Sequence, residues 1–560
     1  MNFAVIAPIL VPLTTTVLCI AAWKDRALQR WVSLSGALSL LASSIGLMVA
    51  TSDGEILTTY AAGWAAPFGI TLVADTFSGL MVLLNGVIAV AIILFSMGAI
   101  DRQRESFGYH PLVHAVLAAV SGAFLTGDIF NMYVWFEIML LASFVLLTLG
   151  GERGQLEGAI KYVTLNLLSS GIFLAAIGLL YGMTGTLNMA HLSIALDAVD
   201  RPGITTALSM LFLVAFGIKA AVFPLFFWLP ASYHTPPVAI TALFAGLLTK
   251  VGVYSITRTF TLMFDQHLDA TATVLLWISG LTMVTGVFGA TCQFEIRRIL
   301  AFHSVSQIGY MLMGVAVALL AIANAEPDAQ AATAVAAMAL AGTTMFLLHH
   351  GIVKGNLFLV SGLIQRLAGT TELKQLGGLV KTRPWTGVLF LVPALSLAGI
   401  PVSTGFWGKF VLVKSGLGAG AFALVGASLF VGVLTLYSMT KIWAEAFWKD
   451  APEDMPEPPG IRGRGDRARI ALIVAPIAVL AVATVALGVF VQPLYRVAEQ
   501  AGRQLLDREG YQRAVLGEYY EPAINGALGT LEVRQASTNS GASDLDADEI
   551  DEQHAGQSDE

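Results

Sequence analysis

The sequence predicts an all-α polytopic membrane protein of about fourteen transmembrane helices. Three observations carry that expectation. The 560 residues are 56% hydrophobic and only 12% charged, about half the charge fraction of a soluble domain. Apolar runs of roughly 18–25 residues recur from end to end, each the length of one bilayer crossing. Between them, Lys and Arg gather in alternate connecting segments, the bias that orients membrane chains.

The first run, "MNFAVIAPILVPLTTTVLCIAAW", lacks a basic leader region and is long enough to cross, so it reads as a first helix and not a cleaved signal. In order, spans are expected near 2–22, 31–50, 78–98, 112–126, 129–149, 159–183, 204–229, 237–258, 271–291, 299–322, 332–367, 385–416, 421–446 and 470–491. The runs at 332–367 and 385–416 exceed what one crossing needs, which predicts tilted or broken helices there.

The segments at 23–30, 99–111, 292–298, 366–384 and 447–469 are basic, the last through Lys449, Arg462, Arg464 and Arg467. The segment 51–77 holds Asp53, Glu55 and Asp75 but no cation, and the predicted cytoplasmic loop 230–236 has no basic residue. The N-terminus is therefore expected outside a bacterial inner membrane, and an even number of crossings brings the C-terminus outside too. The end of the chain, "GASDLDADEIDEQHAGQSDE", is acidic, small and polar, and should be disordered.

Several chemistries find no support. Cys19 and Cys292 lack neighbours at metal-ligand or redox spacing. There is no phosphate-binding P-loop and no dinucleotide fingerprint. No cofactor, resident metal or nucleic-acid partner is expected. A sodium site of the hard-oxygen type would need a dense carboxylate cluster, and none is present in the sequence; that leans towards protons in this chain and sodium elsewhere.

Five ionisable residues lie well inside apolar runs: Glu137, Lys219, Lys250, Lys354 and Lys409. Each costs roughly 2.5–3.5 kcal/mol at a helix centre, so five unpaired cost on the order of 15 kcal/mol. A load of that size implies partners or water, and points to a polar axis at mid-membrane. Lys161 and Lys441 sit near span ends and are expected to snorkel.

Helix breakers flank two of the lysines. "FGIKAAVFPLFFWLP" sets Lys219 between Gly217 and Pro224, and "LAGIPVSTGFWGKF" sets Lys409 just beyond Gly399, Pro401 and Gly405. Broken backbone at membrane depth is tolerated only where protein or a watery cavity satisfies it. Two such segments, five spans apart, fit a transporter built from repeated halves.

Polar stripes run between the charges. His350 and Lys354 are four apart on one helical face, beside His349; His303, Gln307 and Tyr310 follow at i, i+4 and i+7; Thr164, Asn166, Ser169 and Ser170 lie in "YVTLNLLSS". Histidine titrates near neutrality, while hydroxyls and amides hold water chains. An apolar surround disfavours the charged form of such groups and a Glu–Lys pair restores it, so the distance between charges acts as a switch on proton affinity.

"FNMYVWFEIMLLASF", "GIKAAVFPLFFWLPASYHTPPVAITALFAGLLTKVGVY" and "FHSVSQIGYM" resemble the antiporter-like subunits shared by respiratory complex I and Mrp-type multisubunit cation/proton antiporters, the Mrp D subunits above all. The resemblance covers about residues 60–450. It implies two inverted five-helix repeats, spans four to eight (111–260) and nine to thirteen (261–450), with discontinuous helices seven and twelve. Spans one to three occupy 1–110, a cytoplasmic loop and span fourteen 451–495, and an acidic, largely disordered tail 496–560. By position it implies proton transfer by Glu137, Lys219, Lys250, His350, Lys354 and Lys409.

The implied function is proton movement coupled to counter-movement of a monovalent cation, sodium first, within a hetero-oligomeric membrane complex. The alternative is a proton-pumping subunit of a quinone- or hydrogenase-linked respiratory enzyme, which would use the same channel physics. A third reading, a scaffold that does not conduct, is opposed by the complete set of intramembrane charges, which a scaffold could replace with leucine.

Overall fold

The computed structural model describes residues 2–199, 201–452 and 463–526. Its long helices are α1 (Phe3–Ala21), α2 (Arg26–Thr51), α3 (Thr76–Ala99), α4 (Tyr109–Leu125), α5 (Ile129–Thr148), α6 (Arg153–Thr184), α7 (Pro202–Ala220), α8 (Val238–Leu262), α9 (Leu268–Thr291), α10 (Ile296–Ala323), α11 (Ala329–Ala368), α12 (Pro384–Ala398), α13 (Thr404–Gly418), α14 (Phe422–Trp443) and α15 (Gly463–Val489), followed by α16 (Val491–Leu506) and α17 (Arg508–Leu516). Among the described residues, twelve helices are long and apolar enough to cross a membrane, and α4 and α12 are shorter apolar helices.

Short polar residues set where the helices start, because a side-chain oxygen satisfies an otherwise orphaned N–H. Asp25 accepts from Leu28 N at 3.1 Å, and Asp328 from Ala331 N at 2.9 Å. Asp75 and Ser78 form a reciprocal box, with Ser78 N to Asp75 Oδ1 at 2.8 Å and Asp75 N to Ser78 Oγ at 2.9 Å.

The helices sort by how their apolar surface is distributed. Every residue of α8 is buried, and α10 is buried nearly throughout. A helix apolar on all sides belongs inside a bundle. Around this pair, α5, α6, α9 and α14 turn Leu141, Leu168, Trp277 and Val433 outward, as lipid-facing helices do. Of the two over-long runs, 332–367 is one unbroken helix, α11, whereas 385–416 is broken between α12 and α13. Forty residues of α11 span roughly 60 Å at the helical rise, about twice the hydrocarbon core.

Two features depart from the expected outline. Inside 51–77, β1 (Leu57–Tyr60) pairs antiparallel with β2 (Thr71–Ala74), adding a small ribbon to the all-α plan. Its signal was the β-branched runs "ILTTY" and "ITLVA". The tail expected from residue 496 is also corrected over its first part, because α16 and α17 are ordered and packed. α16 buries Leu494, Ala498, Ala501 and Leu505, a stripe at helical period that outweighs its polar composition. Gly502 lets it approach α11, since a Cβ there would collide with the Ala337 carbonyl oxygen. The acidic stretch 527–560 and Arg462 lie outside the described residues.

The first helix set, α4–α8, and the second, α9 onward, share a distinctive junction. Ile129 N donates to Leu187 O at 2.9 Å and Met189 N to Gly127 O at 2.8 Å. In the second set, Ile296 N donates to Thr371 O at 3.1 Å and Leu373 N to Phe294 O at 2.8 Å. Each bridge joins the acidic N-cap of the second helix, Asp128 or Glu295, to the segment after the third helix. Because consecutive helices alternate direction, the two junctions fall at opposite ends of the bundle.

Candidate functional site

Lys219 stands in the last turn of α7, where the helix dipole favours a cation. Its Nζ donates to Ser170 Oγ at 3.0 Å and to the Asn166 carbonyl at 3.3 Å, and lies 5.6 Å from the centre of the Phe136 ring. Glu137, one residue along α5, forms no ion pair with it within 4.0 Å among the described residues, although its charge acts on the lysine through space. Glu137 Oε1 is buried without a protein partner. Of the hydroxyl stripe on α6, Ser169 and Ser170 point inward, while Thr164 is exposed and takes no part.

The break after α7 falls later than Gly217, which stays helical. Ala221 adopts a left-handed conformation at φ +64°, Val222 N turns back to the Gly217 carbonyl at 3.0 Å, and Pro224 lies in the non-helical stretch that follows. Side chains take up the loosened backbone: Trp228 Nε1 donates to Ile218 O at 2.9 Å and Phe223 N to Thr282 Oγ1 at 2.9 Å.

The second break mirrors the first in outcome but not in route. Gly399 ends α12 at φ +92°, Pro401 lies in the gap, and Val402 holds φ +72° before α13 begins. Lys409, on α13, reaches back so that Nζ donates to the terminal carbonyls of α12, Leu397 at 3.0 Å and Ala398 at 3.2 Å. The same ammonium lies 4.6 Å above the Tyr310 ring, a cation–π distance, and Tyr310 OH donates to Ser428 O. Lys219 thus stands in the last turn before one helix break, and the Lys409 ammonium reaches back to the last turn before the other.

Between the breaks, α8, α10 and α11 supply a buried polar row. Lys250 Nζ donates to Ala245 O and approaches Thr249 Oγ1 at 3.5 Å. Lys354 Nζ donates to Leu300 O at 2.8 Å. His349 Nδ1 meets Thr404 Oγ1 at 2.7 Å, which ties α11 to the start of α13. Both ring nitrogens of His303 and of His350, both amide atoms of Gln307, and His349 Nε2 are buried with no protein partner. Buried polar atoms of this kind normally bind ordered water. Through-space interactions join Lys250 to Lys354 and His350, Lys354 to His303, and Lys409 to His303, His349 and His350. Among the described residues, Lys219, Lys250, Lys354 and Lys409 have no carboxylate within 4.0 Å.

A family model described as "NADH:quinone oxidoreductase/Mrp antiporter, TM" matches residues 126–326 and 329–435. The chain belongs to this family. The D-type component of the Na(+)/H(+) antiporter of Alkalihalophilus pseudofirmus is 40% identical over 518 residues, 92% of this chain and 100% of that protein. The component of the same name from Bacillus subtilis is 38% identical over 519 residues, again 92% and 100%. A chain of the Mrp complex from a Dietzia species superposes with TM-score 0.81 at 33% identity, over 92% of this chain and 100% of that one. Glu137, Lys219, Lys250, His350, Lys354 and Lys409 all fall inside the segments matched to the Mrp antiporter family.

Other buried charges fall outside the set that the sequence singles out. Lys250, Tyr254 and Arg258 share one face of α8 at four-residue spacing, and Arg258 Nη2 pairs with Asp75 Oδ2 at 2.6 Å with both side chains buried. Tyr511 of α17 covers that guanidinium at 5.3 Å. The spacing from Lys250 was a usable signal; the pairing across 183 positions was not. Near the basic segments, Glu105 holds Arg30 and His110, and His114 Nε2 meets Ser33 Oγ at 3.0 Å. Of the two lysines expected at span ends, Lys161 is exposed and paired with Glu157 at 2.6 Å. Lys441 caps the end of α9 through Thr291 O at 3.0 Å and Gln293 O at 2.7 Å.

Proposed function

We propose that this chain is the proton-translocating subunit of a multisubunit sodium/proton antiporter in a bacterial plasma membrane. The observation that carries the reading is the row of buried amines and imidazoles lacking carboxylate partners, from Lys219 through Lys250, His350 and Lys354 to Lys409. Relatives named as antiporter subunits favour it over the respiratory-enzyme alternative.

The row works as a relay because no member is locked by a counter-ion. Glu137 acts on Lys219 from a distance, so a small approach of the two strengthens the ammonium and a retreat releases its proton. Water held by His303, Gln307 and His350 carries the proton on, and Lys409 delivers it at the second broken helix. Paired junctions at Asp128 and Glu295 support two inverted repeats, 111–260 and 261–450. The packing of α16 and α17 against the ribbon before α3 supports termini on one side, the outer one by the basic-loop rule. Expressing the whole set of subunits and following sodium-dependent pH change in everted vesicles, with and without Lys219→Ala, tests the reading; exchange surviving that change would refute it.

A further inference from the structure

At the end of the bundle that carries the basic segments, a cavity of about 740 Å3 opens among the ends of α3, α8, α11 and α15. Six arginines line it: Arg30, Arg102, Arg104, Arg297, Arg366 and Arg469. Half are already committed. Arg30 is held by Glu105, Arg104 by Asp101 at 2.7 Å and by Glu152, and Arg297 donates to Pro236 O at 3.1 Å beside Glu295. Both acids on the cavity wall, Asp101 and Glu152, are therefore spent on Arg104. Arg102, Arg366 and Arg469 are exposed and have no ion pair among the described residues.

Three surplus cations around one hollow call for an anion. Part of the wall is apolar: Phe95, Val238 and Gly362 pack so closely that a Cβ on Gly362 would meet Val238 at 2.7 Å. A hollow at helix ends that offers guanidinium groups and an apolar patch matches a phospholipid, whose phosphate would meet the guanidinium groups while its glycerol and acyl carbons meet the apolar patch. α17, near the end of the described chain, packs on the ribbon at the opposite end of α3, and both acids on the cavity wall are bound to Arg104, so no described part of the chain supplies the anion.

We infer that this cavity binds the phosphate headgroup of an anionic phospholipid, through Arg102, Arg366 and Arg469. The site stands apart from the proton relay, and its failure would leave the antiport reading untouched.

The test uses the assembled, purified complex. After delipidation it is offered mixed micelles containing cardiolipin, phosphatidylglycerol or phosphatidylcholine, and retained lipid is measured by mass spectrometry. The wild type should retain the two anionic lipids, and Arg366→Gln/Arg469→Gln should retain about tenfold less or lower still. Arg366→Lys/Arg469→Lys should keep most of the binding, which separates lost charge from lost fold. Equal retention by the Gln pair and the wild type would overturn the inference, as would equal binding of phosphatidylcholine. Displacement by millimolar inorganic phosphate would overturn the lipid as the source and assign the site to a soluble anion.

Discussion

The amine of Lys219 lies 3.0 Å from the hydroxyl of Ser170 and makes no ion pair with Glu137. Acid and amine are near neighbours held apart, with a hydroxyl and a backbone carbonyl serving the lysine instead. Glu137→Ala should therefore abolish sodium-dependent proton flux in everted vesicles while the complex still assembles. Lys219→Ala should behave alike, and Lys161→Gln should leave flux near wild type. Ser170→Ala should slow exchange about tenfold or more, since a hydrogen bond from a charged donor is worth about 1.5–3 kcal/mol; unchanged flux would mean that Ser170 does not position the amine.

Tyr310 contributes its ring to Lys409 and its hydroxyl to Ser428. The two roles separate by substitution. Tyr310→Phe should retain most exchange, because the cation–π face remains. Tyr310→Leu should lose considerably more, by about 1–2 kcal/mol in the interaction with Lys409. Initial rates of pH recovery in vesicles measure both, and equal rates for the two variants would contradict a role for the ring.

The Arg258–Asp75 pair is a structural clamp where α3, α8 and α17 meet. Asp75→Asn leaves a buried guanidinium uncompensated and should cost about 3–5 kcal/mol, read as a lower melting temperature in detergent. Asp75→Asn with Arg258→Met should recover much of that loss, because the unpaired charge goes with its partner.

Glu105, in the basic segment before α4, gives a pH signature. Burial pushes its carboxyl up, but hydrogen bonds from His110 and Arg30 outweigh this and hold it down at about 2. A carboxyl lowered by folding stabilises above its ordinary value of 4.5 and loses that contribution as pH falls from there towards about 2. Thermal stability of the wild type should decline through that window more steeply than that of Glu105→Gln. Parallel curves would remove Glu105 from the account.

Much of the candidate site stands out in the sequence. Charged side chains within bilayer-length apolar runs are costly, so Glu137, Lys219, Lys250, Lys354 and Lys409 stand out by composition alone. Proline and glycine near two of them marked the interrupted helices, although the break at Ala221 lay beyond Gly217 because the chain closes its turn on the Gly217 carbonyl. The order of helices and the face shared by His350 and Lys354 follow from hydropathy and the 3.6-residue period, whereas the complete burial of α8, one of the less hydrophobic spans, does not.

Whom each charge meets was decided only by tertiary structure. Lys409 reaches back across a gap to the carbonyls of α12, Lys219 turns to α6 and not to Glu137, and Tyr511 closes over Arg258 from the far end of the chain. Local pattern fixes which face a side chain occupies. Distances of a few ångströms between helices far apart in sequence depend on how every intervening residue packs, and no short window of sequence holds that information.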